Sequence, residues 1–262
     1  MTSLKINNLF SVAGKTAVVS GGSRGIGYMI AQALVENGAK VYITSRKVAV
    51  CDAAAEELSK LGTCISIPSD LSSQEGRDAF VSQVKEKESS INILVNNAGA
   101  AWGAPFSDHP EHAYDKVMDI NVKSMFFMSQ AFLPLLESAA TPENPSRIIN
   151  IGSIDGLHVS QMPTVPYGVS KAAVHQMSKA LSVKLGGKNI TVNAIAPGPF
   201  ESKMTEAWLA QDSLKSGIES TCPMRRIGYP SDMGGLAIFL CSRAGNYVNG
   251  AIIPLDGGVH IA

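Results

Sequence analysis

A doubly wound α/β fold, with one parallel sheet covered by helices on both faces, is the architecture expected from this chain. Short β-branched runs alternate along it with longer stretches of helical periodicity. The strand-like runs are apolar throughout rather than in alternation, as strands buried on both faces are. A glycine cluster follows the first run directly, where a phosphate-binding strand-to-helix turn would sit. Together these features describe a Rossmann-type sheet.

The elements follow in order. Residues 15–20 (KTAVVS) read as the first strand and 25–37 as a helix stopped at Gly38. Residues 40–44 (KVYIT) are the second strand, followed by an Ala/Glu-rich helix over 48–61 that Gly62 closes. A third strand spans 64–68, and Ser72 caps a charged helix that runs to about Lys87. Residues 91–95 (INILV) form the fourth strand, and one long helix then runs from Pro110-Glu111 toward Glu137. After the turn-rich 141–145 (TPENP), residues 147–151 (RIINI) are the fifth strand and 166–185 a helix ended by Gly186-Gly187. Residues 190–196 form strand six, 231–241 a helix and 251–255 a last strand. With no linker, charge block or short-period repeat, residues 1–262 are expected to form one domain. A substrate loop is expected around 199–222.

Composition narrows the function. Lys+Arg and Asp+Glu are both 22, and this zero net charge argues against a general nucleic-acid or membrane-surface binder. The four cysteines are scattered without a CxxC pair, which suits reduced thiols and gives no zinc site. His109 and His112 stand i, i+3 but have Pro110 between them and no cysteine nearby, so no metal is expected. The first 13 residues hold one lysine and no apolar core of a secretory signal. No apolar stretch is long enough to span a bilayer, and a cytoplasmic location is expected.

Three local patterns carry chemistry. In Ser20-Gly21-Gly22-Ser23-Arg24-Gly25-Ile26-Gly27 the glycines give a phosphate access to bare backbone N–H groups at a helix N-terminus. Strand two ends in Thr44-Ser45-Arg46-Lys47 rather than in the carboxylate that would accept from an NAD ribose. Arg24, Arg46 and the Ser45 hydroxyl can instead pair with a 2′-phosphate, which points to NADP(H). Tyr167 and Lys171, four apart, share a helix face, so the ammonium is expected to favour the phenolate and lower its pKa. Tyr167 would then donate a proton to a developing alkoxide, with Ser153 hydrogen-bonding the same oxygen.

In this order, these residues resemble the short-chain dehydrogenase/reductase family over nearly the whole chain. The resemblance extends to Asp70-Leu71, expected at the adenine, and to Asn96-Asn97-Ala98-Gly99 after strand four. It also includes Asn121, Pro197-Gly198 with Ser202 beyond, and Asp256-Gly257-Gly258. It implies hydride transfer between a nicotinamide and a carbonyl carbon. Tyr167 would be the acid/base, Ser153 would polarise the carbonyl and Lys171 would bind the nicotinamide ribose. Asn121 would hold a water of the proton relay. Ser20 stands where the family commonly has Thr, and the Ser153-to-Tyr167 spacing is one longer than usual. Within the family the likeness is nearer to the rhamnolipid-type NADPH-dependent β-ketoacyl reductases, through 21–27, Trp102-Gly103, 142–151 and 167–178.

Trp102, Leu157, Met162, Phe200, Met204 and Trp208 are the candidate substrate wall, which favours hydrophobic ketones and β-keto esters. The apolar helix 118–136, with Met125, Phe126, Phe127, Phe132 and Leu136, is expected to face a partner as well as its own sheet. The family resemblance implies a homo-tetramer, with a dimer as the smaller possibility. Two alternatives stand beside the ketoreductase: a dehydrogenase of sugars, polyols or steroid alcohols, and a non-catalytic NADP(H)-binding regulator.

Overall fold

A computed structural model describes residues 4–201 and 212–262. Short α1 (Ile6–Leu9) precedes β1 (Thr16–Ser20), α2 (Gly25–Glu36), β2 (Lys40–Thr44), α3 (Val48–Ser59), β3 (Thr63–Ser66) and α4 (Gln74–Lys85). The second half runs β4 (Ile93–Asn96), α5 (Glu111–Met118), α6 (Ser124–Ala139), β5 (Ser146–Ile151), α7 (Val165–Leu185) and β6 (Ile190–Pro197). It closes with α8 (Asp212–Thr221), α9 (Pro230–Cys241) and β7 (Ile252–Leu255).

All seven strands are parallel, in the order β3-β2-β1-β4-β5-β6-β7. Successive residues of a strand point to opposite faces, and both faces are dry. Ala17, Val19, Val41 and Ile43 pack with Ile30, Leu34, Leu58 and Leu240 on one side. Val18 and Tyr42 pack with Phe80, Val84, Met128 and Phe132 on the other. Two helix layers therefore cover the sheet, as the continuous apolar strands require. The four cysteines are buried free thiols, and burial pushes Cys64 and Cys241 up to about 12.

Three details differ from the sequence reading. Ser73, not Ser72, caps α4: its Oγ accepts from Gly76 N at 3.0 Å. Ser72 is committed to Asp70, donating to its Oδ1 at 2.7 Å. The expected single helix from 111 to 137 is interrupted by a π turn over Asp119–Lys123, which separates α5 from α6. On α6, Met125, Phe132 and Leu136 are buried within this one chain, and only Phe126 and Phe127 of the named five remain exposed.

Arg147 lies at the bottom of β5 with 1% of its surface exposed. It closes the C-terminus of α9, whose last carbonyls lack helical donors. Its Nε donates to Leu240 O at 2.9 Å and its Nη2 to Ser242 O at 3.0 Å, while Nη1 donates to Pro145 O. Lys15 supports the same corner, its Nζ donating to Cys241 O at 2.9 Å. Arg147→Met should lower unfolding stability by roughly 2–4 kcal/mol, since each buried carbonyl left unpaired costs ~1–3 kcal/mol. The shift in a urea midpoint reads this out, and an unmoved midpoint refutes it.

Candidate active site

The order β2-β1-β4 sends the chain in opposite directions from β1, so a crevice opens beyond the strand ends. Ser20, the last residue of β1, joins its two lips. Its Oγ donates to Val95 O at 3.3 Å and accepts from Asn97 N at 2.8 Å and Ala98 N at 3.0 Å. Asn97 returns the contact, Nδ2 donating to Ser20 O at 2.9 Å and Gly21 O at 3.1 Å. Gly21 adopts φ +65°, and a Cβ at Gly27 would overlap Gly21 O and Asn97 Nδ2. No larger residue fits where α2 starts against that amide.

Above this floor lies a cleft of about 840 Å³. Gly21, Ser23, Arg24, Gly25 and Ile26 line it from the glycine turn, and Gly27 is buried just behind them. Ser45 and Arg46 reach it from the end of β2, Asp70 and Leu71 from the end of β3. Asn97, Ala98 and Gly99 line its floor, and Pro197-Gly198 its far wall. Ser202 lies outside the described residues. Arg24 and Arg46 are exposed and neither forms an ion pair among the described residues. Beside them Thr44 Oγ1 is buried with no partner. A dinucleotide carrying an extra phosphate fits this chemistry: N–H groups bare of Cβ, an orphaned hydroxyl and two unpaired guanidinium groups.

At the other end of the cleft stand Ser153, Tyr167 and Lys171. Strand β5 ends at Ile151, and Ser153 caps the short turn Ile154–Gly156, its Oγ accepting from Asp155 N at 3.2 Å. Tyr167 occupies the first turn of α7, and Lys171 follows one turn later on the same face. Lys171 Nζ sits 5.4 Å from the Tyr167 ring centroid and donates to Ile151 O at 2.8 Å. The expected lowering of the phenol pKa is therefore reversed in the free chain. Burial pushes Tyr167 up to about 12, against the Ser153 hydrogen bond and helped by the Asp155 charge. Burial also brings Lys171 down to about 8, which the Asp155 charge opposes. The ammonium meets the face of the ring and spends its hydrogen bond on a backbone carbonyl, so desolvation dominates both groups.

Asn121 lies in the π turn, fully buried, one layer behind the cleft wall. Its Oδ1 accepts from Ala100 N at 2.8 Å, and its Nδ2 donates to Ala100 O and to Ser170 Oγ, each at 2.9 Å. Both amide protons are thus spent, and one Oδ1 lone pair remains for a further partner. Of the candidate substrate residues, Phe200 lines the cleft. Trp102, Leu157 and Met162 fall outside its lining, and Met204 and Trp208 lie outside the described residues. Among the lining residues that escaped the sequence reading are Lys116 and Ile120. Their spacing of one helical turn from each other, just ahead of Asn121, was the available signal.

This crevice and its Ser-Tyr-Lys trio are those of a nicotinamide-dependent oxidoreductase, and the chain belongs to the short-chain dehydrogenase/reductase family. Residues 21–260 match the family model described as enoyl-(acyl carrier protein) reductase. The chain is 46% identical to a rhamnolipids biosynthesis 3-oxoacyl-[acyl-carrier-protein] reductase of Pseudomonas aeruginosa, over 96% of this chain and 98% of that one. It is 34% identical to the short-chain dehydrogenase/reductase PhomF of Diaporthe leptostromiformis, over 98% and 94%. It is also 32% identical to an Escherichia coli 5-keto-D-gluconate 5-reductase, over 98% and 100%. Among solved structures, the Pseudomonas aeruginosa RhlG/NADP active-site complex superposes with a TM-score of 0.94 at 45% identity, covering 97% of this chain and 99% of that one.

Proposed function

We propose that this chain is an NADPH-dependent ketoreductase that converts a β-keto ester, a β-ketoacyl thioester or another hydrophobic ketone to a secondary alcohol. The observation that carries this reading is the convergence of Ser153, Tyr167 and Lys171 on the cleft that also holds the glycine turn with Arg24 and Arg46, which form no ion pair among the described residues. NADPH, when bound, supplies the hydride for the carbonyl carbon. Arg24, Ser45 and Arg46 hold its 2′-phosphate; Gly21, Ser23, Gly25, Ile26 and Gly27 form the turn that takes the pyrophosphate. Asp70 and Leu71 would flank the adenine, and Asn97, Ala98, Gly99, Pro197 and Gly198 would complete the binding surface, while Ser202 lies outside the described residues.

Ser153 donates a hydrogen bond to the substrate oxygen, and Tyr167 gives that oxygen its proton as charge develops on it. A phenol that burial keeps protonated is in the form reduction needs. Lys171 then has to offset the phenolate charge, which it does only while it is an ammonium. Asn121 accepts, with its remaining Oδ1 lone pair, from a water that returns a proton to the site. Residues 1–262 act as one Rossmann unit with a substrate segment around 199–222, which includes α8; Met204 and Trp208, its further substrate candidates, lie outside the described residues. Leu157 and Met162, both exposed and outside the cleft lining, remain candidates for contact with the rest of the substrate.

We propose a cytoplasmic location for the enzyme. No described helix is long and apolar enough to cross a membrane. Phe126 and Phe127, 42% and 40% exposed, stack edge to face on the outside of α6, and we infer that they form the centre of a contact between subunits of a homo-tetramer. Light scattering at micromolar concentration should give four copies per particle, and a monomer would rule the assembly out.

Tyr167→Phe should retain NADPH binding and lose ketone reduction by at least ~10²-fold. In the unsubstituted enzyme, kcat/KM for reduction should fall as pH rises through about 8, where Lys171 loses its proton. A variant keeping more than about a tenth of turnover contradicts the role given to Tyr167. A flat profile to pH 10 contradicts the one given to Lys171. Arg46→Asp should cut efficiency with NADPH by about tenfold or more while that with NADH holds or rises, since a charge-assisted hydrogen bond is worth ~1.5–3 kcal/mol. Equal losses on both cofactors would remove the phosphate assignment.

A further inference from the structure

We propose that Lys116 is an anion-binding group at the substrate end of the cleft, so that favoured ketones carry a carboxylate or phosphate away from the reacting carbonyl. The proposal rests on the reductase reading above and names the class of substrate for that site. Lys116 is exposed and lines the cleft from α5. One turn further on come Ile120, which also lines it, and Asn121, whose Nδ2 bonds Ser170 three residues past Tyr167. Helix α5 packs on α7, whose first turn carries Tyr167, and Lys116 lies over Trp102, two residues before the Ala104 that bonds Pro163 just ahead of that turn.

The side chain is held in place without being neutralised. Its Nζ lies 5.2 Å from the Trp102 ring centroid. His112, one turn earlier on α5, braces that ring edge-on, with centroids 5.6 Å apart and planes at 82°. The loop carrying Trp102 is fixed in turn, since Ala104 N donates to Pro163 O at 2.9 Å, just before α7 begins. The indole offers its ring face to the ammonium and leaves the charge intact. Asp119, three residues on, is paired with Lys123 at 3.3 Å, and no carboxylate pairs with Lys116 among the described residues. Arg24 and Arg46 supply the cations for a cofactor phosphate at the opposite end, which leaves this charge for the other reactant.

An anionic oxygen group could be the carboxylate of a keto acid or a phosphate of a pantetheine thioester. The test compares kcat/KM at saturating NADPH for a neutral β-keto ester, a keto acid salt and a β-ketoacyl coenzyme A of matched chain length. Lys116→Met should lower the anionic-over-neutral ratio about tenfold at low salt, through KM, and Lys116→Arg should restore most of it. Salt at roughly 0.5 M should erase the wild-type preference, because an exposed charge is screened. A shift confined to the keto acid assigns the carboxylate; one confined to the thioester assigns the phosphate. Either supports the proposal. A loss equal on all three substrates, no loss on any, or a loss traced to KM for NADPH overturns it. Absence of turnover on every ketone by the unsubstituted enzyme overturns the reductase reading itself.

Discussion

Everything functional in this molecule hangs from the junction between β1 and β4. Two parallel neighbours whose chains depart in opposite directions leave their C-terminal ends without a covering helix, and the gap would expose backbone polar groups on both lips. The Ser20 hydroxyl and the Asn97 amide answer that demand together, exchanging hydrogen bonds across the gap with Val95, Ala98 and Gly21. Their close approach forbids a Cβ at Gly27, which is why the glycine turn is spaced as it is. The dinucleotide-sized cleft is the space left above a satisfied floor. Strand order creates it, and two side chains hold it open.

The reactive end obeys a different constraint, the cost of holding charge out of water. Tyr167 and Lys171 sit where desolvation favours the neutral form of each, so the phenol is raised and the ammonium lowered. Asp155 stands near both and acts on them in the same sense, raising each. Its own carboxyl is raised by burial, against the pull of His158 and Lys171. The trio is therefore tuned by its surroundings as well as by its members.

Much of this was legible in the chain. Uninterrupted apolar runs fixed the parallel sheet, because a strand buried on both faces leaves no polar alternation to read, and all seven strands lie within a few residues of their expected bounds. The glycine turn and the Tyr167–Lys171 spacing were visible because each is local, set by one turn of backbone. What escaped depends on partners distant in sequence. Two adjacent serines compete to cap α4, and Asp70 decides between them by engaging Ser72. Trp102 is apolar and lies on the right loop, yet it turns to His112 and Lys116. The direction of the Tyr167 shift needed the third dimension too: a cation over a ring face and a cation beside a hydroxyl have the same sequence spacing.

The π turn at Asp119–Lys123 makes the length of this segment a structural quantity. It accommodates one residue beyond what an unbroken α-helix would hold, and each residue of an α-helix advances the screw by about 100°. Deleting that one residue would let α5 and α6 merge into a single rod with the faces of both kept in register, whereas the same deletion further along α6 would rotate every following side chain by that angle. Phe132 would keep its place against Phe80 in the first case and swing out of the core in the second. A deletion within the turn falls instead on Asn121, whose bonds to Ala100 and Ser170 belong to its place there. One residue more or less therefore costs the core when it is lost from regular helix and the cleft wall when it is lost from the turn.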